Sequence, residues 1–311
     1  MNERPYDILV VGELNVDIIL TGDVEPEFGQ VEKLVDDFAV CAGSSAGIFA
    51  ASAARMGLRV LFGSKVGDDL FGHFMLSELE RVGVETHFVK VDPTIKTGAS
   101  VALSRGQDRA ILTYLGSIAE ININDVDPSW YTMARHLHIA SPFLLRGLRP
   151  AMPEMMRLAK KAGMTVSLDT NWDPEEKWEL EGFFDHVDIF LPNEQELLAI
   201  TRENELERAI EVMAARVPLL VVKRGEKGAL AVRGETREQV PAFPVQVVDA
   251  VGAGDSFDGG FLAGWLRTKS LRNSLLLGAA CGALTTRQFG GFNGQPTWEE
   301  AWAFIQGRLG E

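Results

Sequence analysis

Cysteine is scarce in this chain of 311 residues, which carries only Cys41 and Cys281. The two lie far apart and form no Cys-x-x-Cys pair, so neither a disulfide framework nor a thiolate zinc site is indicated, and both read as small buried apolar side chains. Positive charge is the second shortage. Lys and Arg number 30 against 44 Asp and Glu, a formal net charge of −14 with a pI near 4.9. A field of that sign repels polyanions and excludes a general nucleic-acid or anionic-membrane surface. Apolar runs are short: none reaches the roughly 18 residues a membrane helix needs, and Glu3 and Asp7 precede a first apolar run that ends at Gly12. These absences lead to the expectation of a cytoplasmic protein with neither nucleic acid nor membrane as partner. There is also no internal repeat, low-complexity tract or convincing linker. A content of 46% hydrophobic and 24% charged residues supports one large α/β domain or two small ones.

What the chain does have is a nearly bare loop late in the sequence, Val248-Asp249-Ala250-Val251-Gly252-Ala253-Gly254-Asp255-Ser256-Phe257-Asp258-Gly259-Gly260-Phe261. Two glycines flanking one alanine let backbone N–H groups approach a ligand directly. Phe257, Phe261, Leu262, Trp265 and Leu266 then recur at helical spacing, so a helix begins at or just after Gly254 with its N-terminus in the loop. Free amides and the positive end of the helix dipole suit an anion. Asp255 stands at that end. It reads as an ordinary N-cap, or as a carboxylate that takes a proton beside a cradled phosphate, which is a phosphoryl-transfer arrangement. A dinucleotide-binding loop fits less well, because its glycine signature should follow the first strand. The dipole and amides are expected to lower the Asp255 pKa.

Earlier in the chain, residues 7–11 form a buried first strand closed by Gly12, and the two-residue period of Glu13-Leu14-Asn15-Val16-Asp17-Ile18 sets Asn15 and Asp17 on one face. Such a pair suits hydroxyl groups, or an exposed polar turn. Residues 21–40 are acidic and irregular with a short strand-like piece at 38–41, whereas 97–104 and 109–115 alternate about Arg105-Gly106-Gln107-Asp108 as a hairpin. Between them Gly43 to Gly57 reads as a helix rich in small residues. From about residue 58, β runs at 59–65, 136–140, 164–169, 187–191 and 218–223 alternate with helices at 70–82, 149–162, 193–200 and 205–215. That rhythm predicts a parallel sheet covered on both faces, with functional residues at the carboxyl ends of its strands. Asn193 followed by Glu196 reads as a capping box. Lys223-Arg224-Gly225-Glu226-Lys227-Gly228 reads as a tight connection. His136 and His138, alternating along a strand, read as structural.

The stretch Asp249-Ala250-Val251-Gly252-Ala253-Gly254-Asp255-Ser256-Phe257 closely resembles the Asp-Thr-x-Gly-Ala-Gly-Asp-Thr-Phe signature of the ribokinase-like (PfkB) carbohydrate kinases, and the order of motifs matches from about residue 7 to 300. The resemblance implies an α/β fold: one ribokinase-like three-layer α/β/α domain over residues 1–311, with a mostly parallel central sheet and a small β lid. The lid strands come from about 13–41 and 96–115, and the lid serves as a homodimer interface. It further implies an ATP-dependent kinase that moves the γ-phosphoryl group to a hydroxymethyl of a sugar, sugar acid or nucleoside. By the same resemblance Asp255 is the general base, and the amides of Gly252, Ala253 and Gly254 form the anion hole. Asn15, Asp17, Gly43 and Ser44 bind the sugar-type substrate, and Asn193, Lys223, Gly225 and Gly228 bind the nucleotide. Glu196 acts on Mg²⁺ through water, while Asp249 and the Val251 carbonyl match a monovalent-cation site such as K⁺ occupies. Residues 278–287 and 290–297 look like the family's closing helix and the loop that borders adenine.

Three departures from the family pattern bear on the acceptor. Gly43-Ser44-Ser45-Ala46-Gly47-Ile48 looks like the family's Gly-Gly-x-x-x-Asn, with Ser44 for the second Gly and Ile48, which can neither donate nor accept a hydrogen bond, for the sugar-binding Asn. Asp169-Thr170-Asn171-Trp172 resembles the Asp-x-Asn segment of fructokinase-like and sugar-acid kinase members, with Trp172 where they carry Arg. Ile48 keeps open a catalytically silent regulatory protein that binds nucleotide or sugar on the same scaffold.

Overall fold

The computed structural model describes residues 4–105 and 108–309. The architecture follows from the first strand, β1 (Tyr6–Val11), whose residues are buried on both faces. Ile8 and Val10 enter one apolar cluster, Leu9 and Val11 another, so a layer of helices must cover each side. Along the chain follow β2 (Asn15–Thr21), β3 (Asp37–Ala42), β4 (Val60–Gly67), β5 (Val89–Asp92), β6 (Gly98–Arg105), β7 (Asp108–Tyr114), β8 (Ala134–Ala140), β9 (Thr165–Asp169), β10 (Ile189–Phe190), β11 (Leu219–Lys223), β12 (Ala229–Arg233) and β13 (Thr236–Val240). Nine of them form the main sheet in the order β13-β12-β11-β10-β9-β8-β1-β4-β5, parallel except where β12 pairs antiparallel with β11 and β13. Helices α1 (Ser45–Arg55) and α2 (Leu70–Arg81) pack into the first cluster. The short α3 (Ser117–Glu120) and α4 (Trp130–Met133), then α5 (Met152–Lys161), α6 (Glu194–Thr201) and α7 (Leu206–Ala214) pack into the second. The first layer is completed by α8 (Ala253–Thr268), α9 (Leu271–Thr285) and α10 (Trp298–Leu309). This is the three-layer α/β arrangement that the alternating pattern predicts.

A separate sheet has the order β3-β2-β6-β7. The hairpin of β6 and β7 sits within it, and Gly106 and Gln107 of the expected turn lie outside the described residues. Register puts Ile18, Leu20, Phe38, Val40, Val101, Leu112 and Tyr114 on one face, on which Phe38, Val40, Leu112 and Tyr114 are exposed. Asp17 lies on the opposite face.

Local sequence accounts for several boundaries. Ser44 caps α1 by accepting from Gly47 N at 2.8 Å, and Gly57 follows the helix at φ 80°, where a Cβ would be strained. Helix α8 begins at Ala253, one residue before the expected start, and its residues from Asp255 to Trp265 are buried all round rather than along one stripe. The expected strand at 187–191 shortens to two residues, and β12, the largely polar β13 and the first half of α9 carry no separate sequence signal.

Candidate active site

The carboxyl ends of β1, β8, β9, β10 and β11 lead in turn into Glu13, Ser141, Asn171, Asn193 and the Gly225 to Gly228 turn. Strand order reverses beside β1, since β4 lies on one side and β8 on the other. In open α/β sheets that reversal opens a crevice. Helix α8 delivers Asp255 to this edge. Gly252 is its N-cap at φ 73°, in the left-handed region, and a Cβ there would come within 2.8 Å of Gly291 Cα and 2.9 Å of Ile48 Cγ2. Only glycine satisfies both the conformation and the space. Ala253 and Gly254 are the first helical residues, so their amides lie in the first turn, whose donors find no partner within the helix.

Asp255 is buried, with 7% of its surface exposed, and Asn171 Nδ2 donates to its Oδ1 at 3.4 Å. Its pKa is pushed up to about 7, chiefly by burial and then by the Asp169 carboxylate, against the opposing pull of Lys223 and Asn171. The expected lowering is therefore wrong. The helix end and amides are local effects, and desolvation of a carboxylate enclosed by the fold outweighs them. Behind it lies a second cluster. Lys223 Nζ donates to Asp169 Oδ2 at 2.6 Å and Asp258 Oδ2 at 3.2 Å, with all three side chains nearly inaccessible. Burial raises Asp258 well above the usual carboxylate range. Burial also pushes Asp169 up, but the Lys223 ammonium and the hydrogen bonds from Asp258, Lys223 and Asn171 outweigh it and hold Asp169 below its ordinary value. The two carboxylates are thus driven in opposite directions, Asp258 up by burial and Asp169 down beside the Lys223 ammonium. A solvated Lys223 is not what the fold builds, although the residue does line the large cavity described next.

That cavity, about 790 Å³, is bounded by Lys223, Arg224, Gly225, Gly228, Phe243, Val245, Ala250, Ala253, Gly254, Phe257, Ala279, Gly282 and Ala283, among others. Its walls are mostly apolar, and its size falls within the range of small-molecule pockets. Gly228, at φ 85°, leaves no room for a Cβ, which would meet the Val240 carbonyl at 2.0 Å. The loop 290–297, expected at the adenine edge, contributes nothing to this cavity. Gly291 packs on Ile48 and Gly290 on Cys41 instead, and Gly290, Phe292 and Asn293 line a smaller cavity of about 330 Å³ beside β3 and α2. No sequence signal marked the segment 242–247 that takes its place.

At the other end of the site Asn15 Nδ2 donates to Asp17 Oδ1 at 2.9 Å, and a Cβ on Gly43 would overlap the Asp17 carboxylate. The fold brings Asn15, Asp17 and Gly43 together. Ser44, at φ 75°, uses its hydroxyl internally, capping α1 and donating to the Glu13 carbonyl at 2.5 Å. Glu13 was missed by sequence reasoning. It is 1% exposed, accepts from Ala46 N on Oε1, leaves Oε2 without a partner, and is pushed up to about 7 by burial against its backbone hydrogen bonds. Asn193 and Glu196 form the expected capping box, and Asn193 Nδ2 also donates to Glu196 Oε1 at 2.7 Å. Burial and Asp169 push Glu196 up to about 7, against Lys223 and the Asn193 amide. Asp249 accepts from Val251 N on Oδ1 and from Gly290 N on Oδ2, each at 3.0 Å. His136 and His138 are buried, bonded to Thr165 and Ser167, with His138 stacked on Phe49. Burial holds both below their usual pKa, His138 at about 3.

Among the described residues no group of three or more His, Cys, Asp or Glu side chains forms a metal cage. Oxygen donors such as Glu196, buried and acted on by the charge of Lys223 at the wall of the large cavity, fit Mg²⁺, which keeps its water and takes few protein ligands. No helix in the described residues is long and apolar enough to cross a membrane.

A glycine turn opening a helix at the carboxyl edge of a mostly parallel sheet, with a buried carboxylate in that helix and a nucleotide-sized cavity beside it, is the layout of a ribokinase-like kinase. The chain belongs to the pfkB family of carbohydrate kinases, whose description matches residues 6–298. It is 30% identical over 282 residues to a fructokinase of Vibrio alginolyticus, covering 85% of this chain and 92% of that protein. It is 26% identical to the ribokinase of Bacillus subtilis (strain 168), covering 94% and 97%. A solved structure of a putative ribokinase II from E. coli in complex with ATP and Mg²⁺ aligns at a TM-score of 0.87 and 25% identity, covering 97% of this chain and 99% of that one. The protein is accordingly an ATP-dependent sugar kinase.

Proposed function

We propose that the protein transfers the γ-phosphoryl group of ATP to a hydroxymethyl of a sugar, sugar acid or nucleoside, with Asp255 as general base. The observation that carries this reading is a buried carboxylate, poised near pH 7, in the first turn of a helix that opens on Gly252. A base works best when its pKa lies near the working pH. The acceptor hydroxyl gives its proton to Asp255 as its oxygen attacks the γ-phosphorus, and the bond from that phosphorus to the β–γ bridging oxygen breaks, so that ADP leaves with the bridging electron pair. The amides of Gly252, Ala253 and Gly254 receive the charge that grows on the transferred group, a task that preorganised donors perform without reorganisation. Asn15, Asp17 and Gly43 hold the acceptor, with Ser44 supporting them through its cap on α1. The nucleotide takes the larger cavity, with Gly225 and Gly228 giving backbone access and Asn193 and Lys223 at its phosphate end. Bound Mg²⁺, held through water by Glu196, offsets phosphate charge. Asp249 and the Val251 carbonyl offer oxygen ligands to a monovalent cation such as K⁺. We further infer a single kinase domain whose four-stranded sheet acts as a lid and joins two copies, supported by the exposed apolar face bearing Phe38, Val40, Leu112 and Tyr114. Buried free thiols at Cys41 and Cys281 suit a reducing, cytoplasmic setting.

The test is ATP turnover across a panel of sugars, sugar acids and nucleosides. An acceptor that raises turnover well above the rate without acceptor, and appears as its phosphate ester, supports the reading. A panel on which no member is phosphorylated contradicts it.

A further inference from the structure

Asp255 is tied into a closed ring of buried and half-buried groups, of which Asn171 and Ser141 have no part in the chemistry above. Ser141 Oγ donates to Asn171 Oδ1 at 3.0 Å, which turns the amide so that Nδ2 faces Asp255 Oδ1. The opposite amide orientation would set oxygen against oxygen. Ser141 and Asn171 both hold left-handed backbone, at φ 47° and 50°, and one residue fixes both: the Asp169 carbonyl accepts from Ser141 N at 3.1 Å, and Asp169 Oδ1 accepts from Asn171 N at 3.3 Å. Strained backbone of this kind persists where surrounding structure over-determines it, commonly at functional sites. Asp169 is anchored by Lys223, and Lys223 also grips Asp258, one helical turn beyond Asp255 on α8. The ring therefore runs from Asp255 through Asn171, Asp169, Lys223 and Asp258 back to α8.

We propose that Asn171, oriented by Ser141 and held by Asp169, is a positioning residue that fixes one oxygen of Asp255 so that the other meets the acceptor hydroxyl. The inference rests on Asp255 being the base. Asn171 acts in the transition state more than in binding, because a carboxylate free to rotate spends less time aligned with the proton it takes.

The experiment uses the full chain with an acceptor identified from the panel. Asn171→Gly keeps the left-handed backbone accessible and deletes the amide. It should lower kcat about 10- to 100-fold, the scale of one hydrogen bond to a charged group, with ATP affinity and acceptor KM nearly unchanged. Ser141→Gly should lower kcat by a smaller factor in the same manner. In an Asp255→Asn background Asn171→Gly should cost nothing further, since residues acting as a unit are non-additive. If Asn171→Gly fails to fold, Ser141→Gly decides alone. A folded Ser141→Gly or Asn171→Gly variant with wild-type kcat overturns the inference, as does a loss confined to acceptor KM. Failure of the base assignment is distinct: there Asp255→Asn itself would retain turnover.

Discussion

Replacing Lys223 with Met removes the side-chain cation that, among the described residues, pairs with both Asp169 and Asp258, and the consequence follows from their burial. Each of the three side chains is 11% exposed or less. Breaking a buried ion pair by deleting one partner leaves an uncompensated charge and costs about 3–5 kcal/mol. Unfolding entropy near 2.1 cal/mol/K per residue over 311 residues makes each kcal/mol worth about 1.5 °C, so Lys223→Met should lower Tm by roughly 5–8 °C. Because Asp169 is the carboxylate held below its ordinary pKa beside Lys223, whereas burial raises Asp258, the charge left behind is chiefly that of Asp169. The double variant Lys223→Met, Asp169→Asn should therefore recover most of the loss, whereas two independent sites would add. The pH dependence has a definite sign. Asp169 is held below its unfolded value of 3.8 in the native protein, so its contribution is present above that value and is lost as pH falls through the folded one. Without Lys223 its folded pKa rises, and the variant's deficit should widen from about pH 4 toward pH 7. Thermal unfolding followed by circular dichroism at several pH values measures this. A single variant within about 1 kcal/mol of wild type, or a deficit that does not change with pH, would refute the reasoning.

Gly252→Ala should cost about 1–2 kcal/mol for the left-handed backbone alone, add the overlap with Gly291 and Ile48, and lower kcat about 100-fold by displacing the loop amides; steady-state rates and melting curves read both. Glu196→Gln keeps a capping-box residue, so stability should change little, while the Mg²⁺ concentration for half-maximal rate should rise about tenfold; an unchanged Mg²⁺ profile would leave only the cap. Ile48 removes a hydrogen-bonding partner from the acceptor site, worth about one to two orders of magnitude in specificity; ribose emerging from the panel as best acceptor by a wide margin would show this to be wrong.

The loop at Gly252 to Gly254 and the carboxylate after it were legible because glycine spacing and helical periodicity are local. The same holds for Asn15 with Asp17, one period of a strand, and for the Asn193 and Glu196 cap. What escaped was long-range. Lys223 finds Asp169 and Asp258 at separations of 54 and 35 residues, and Ser141, which no motif marks, meets Asn171 across two strand ends. The pKa of Asp255 was misjudged because a helix terminus is visible in sequence and enclosure by distant segments is not. Ile48 was legible as a departure from the family, but its seat against Gly252 and Gly291, below the anion loop, required the fold. The hairpin of β12 and β13 escaped because its partners are set by pairing rather than by the period of either strand.

The account stands on Asp255 as the base, and Asp255→Asn tests it directly, since Asn keeps the shape but cannot take the acceptor proton, and the helix cap is Gly252 rather than Asp255. General-base catalysis contributes on the order of 10²- to 10⁴-fold. The expected result is a fall in kcat of that size, with ATP affinity and Tm close to wild type. A variant that keeps most of its turnover, or that loses activity only by unfolding, would contradict the assignment and leave Asp255 a helix-terminal residue without a catalytic part.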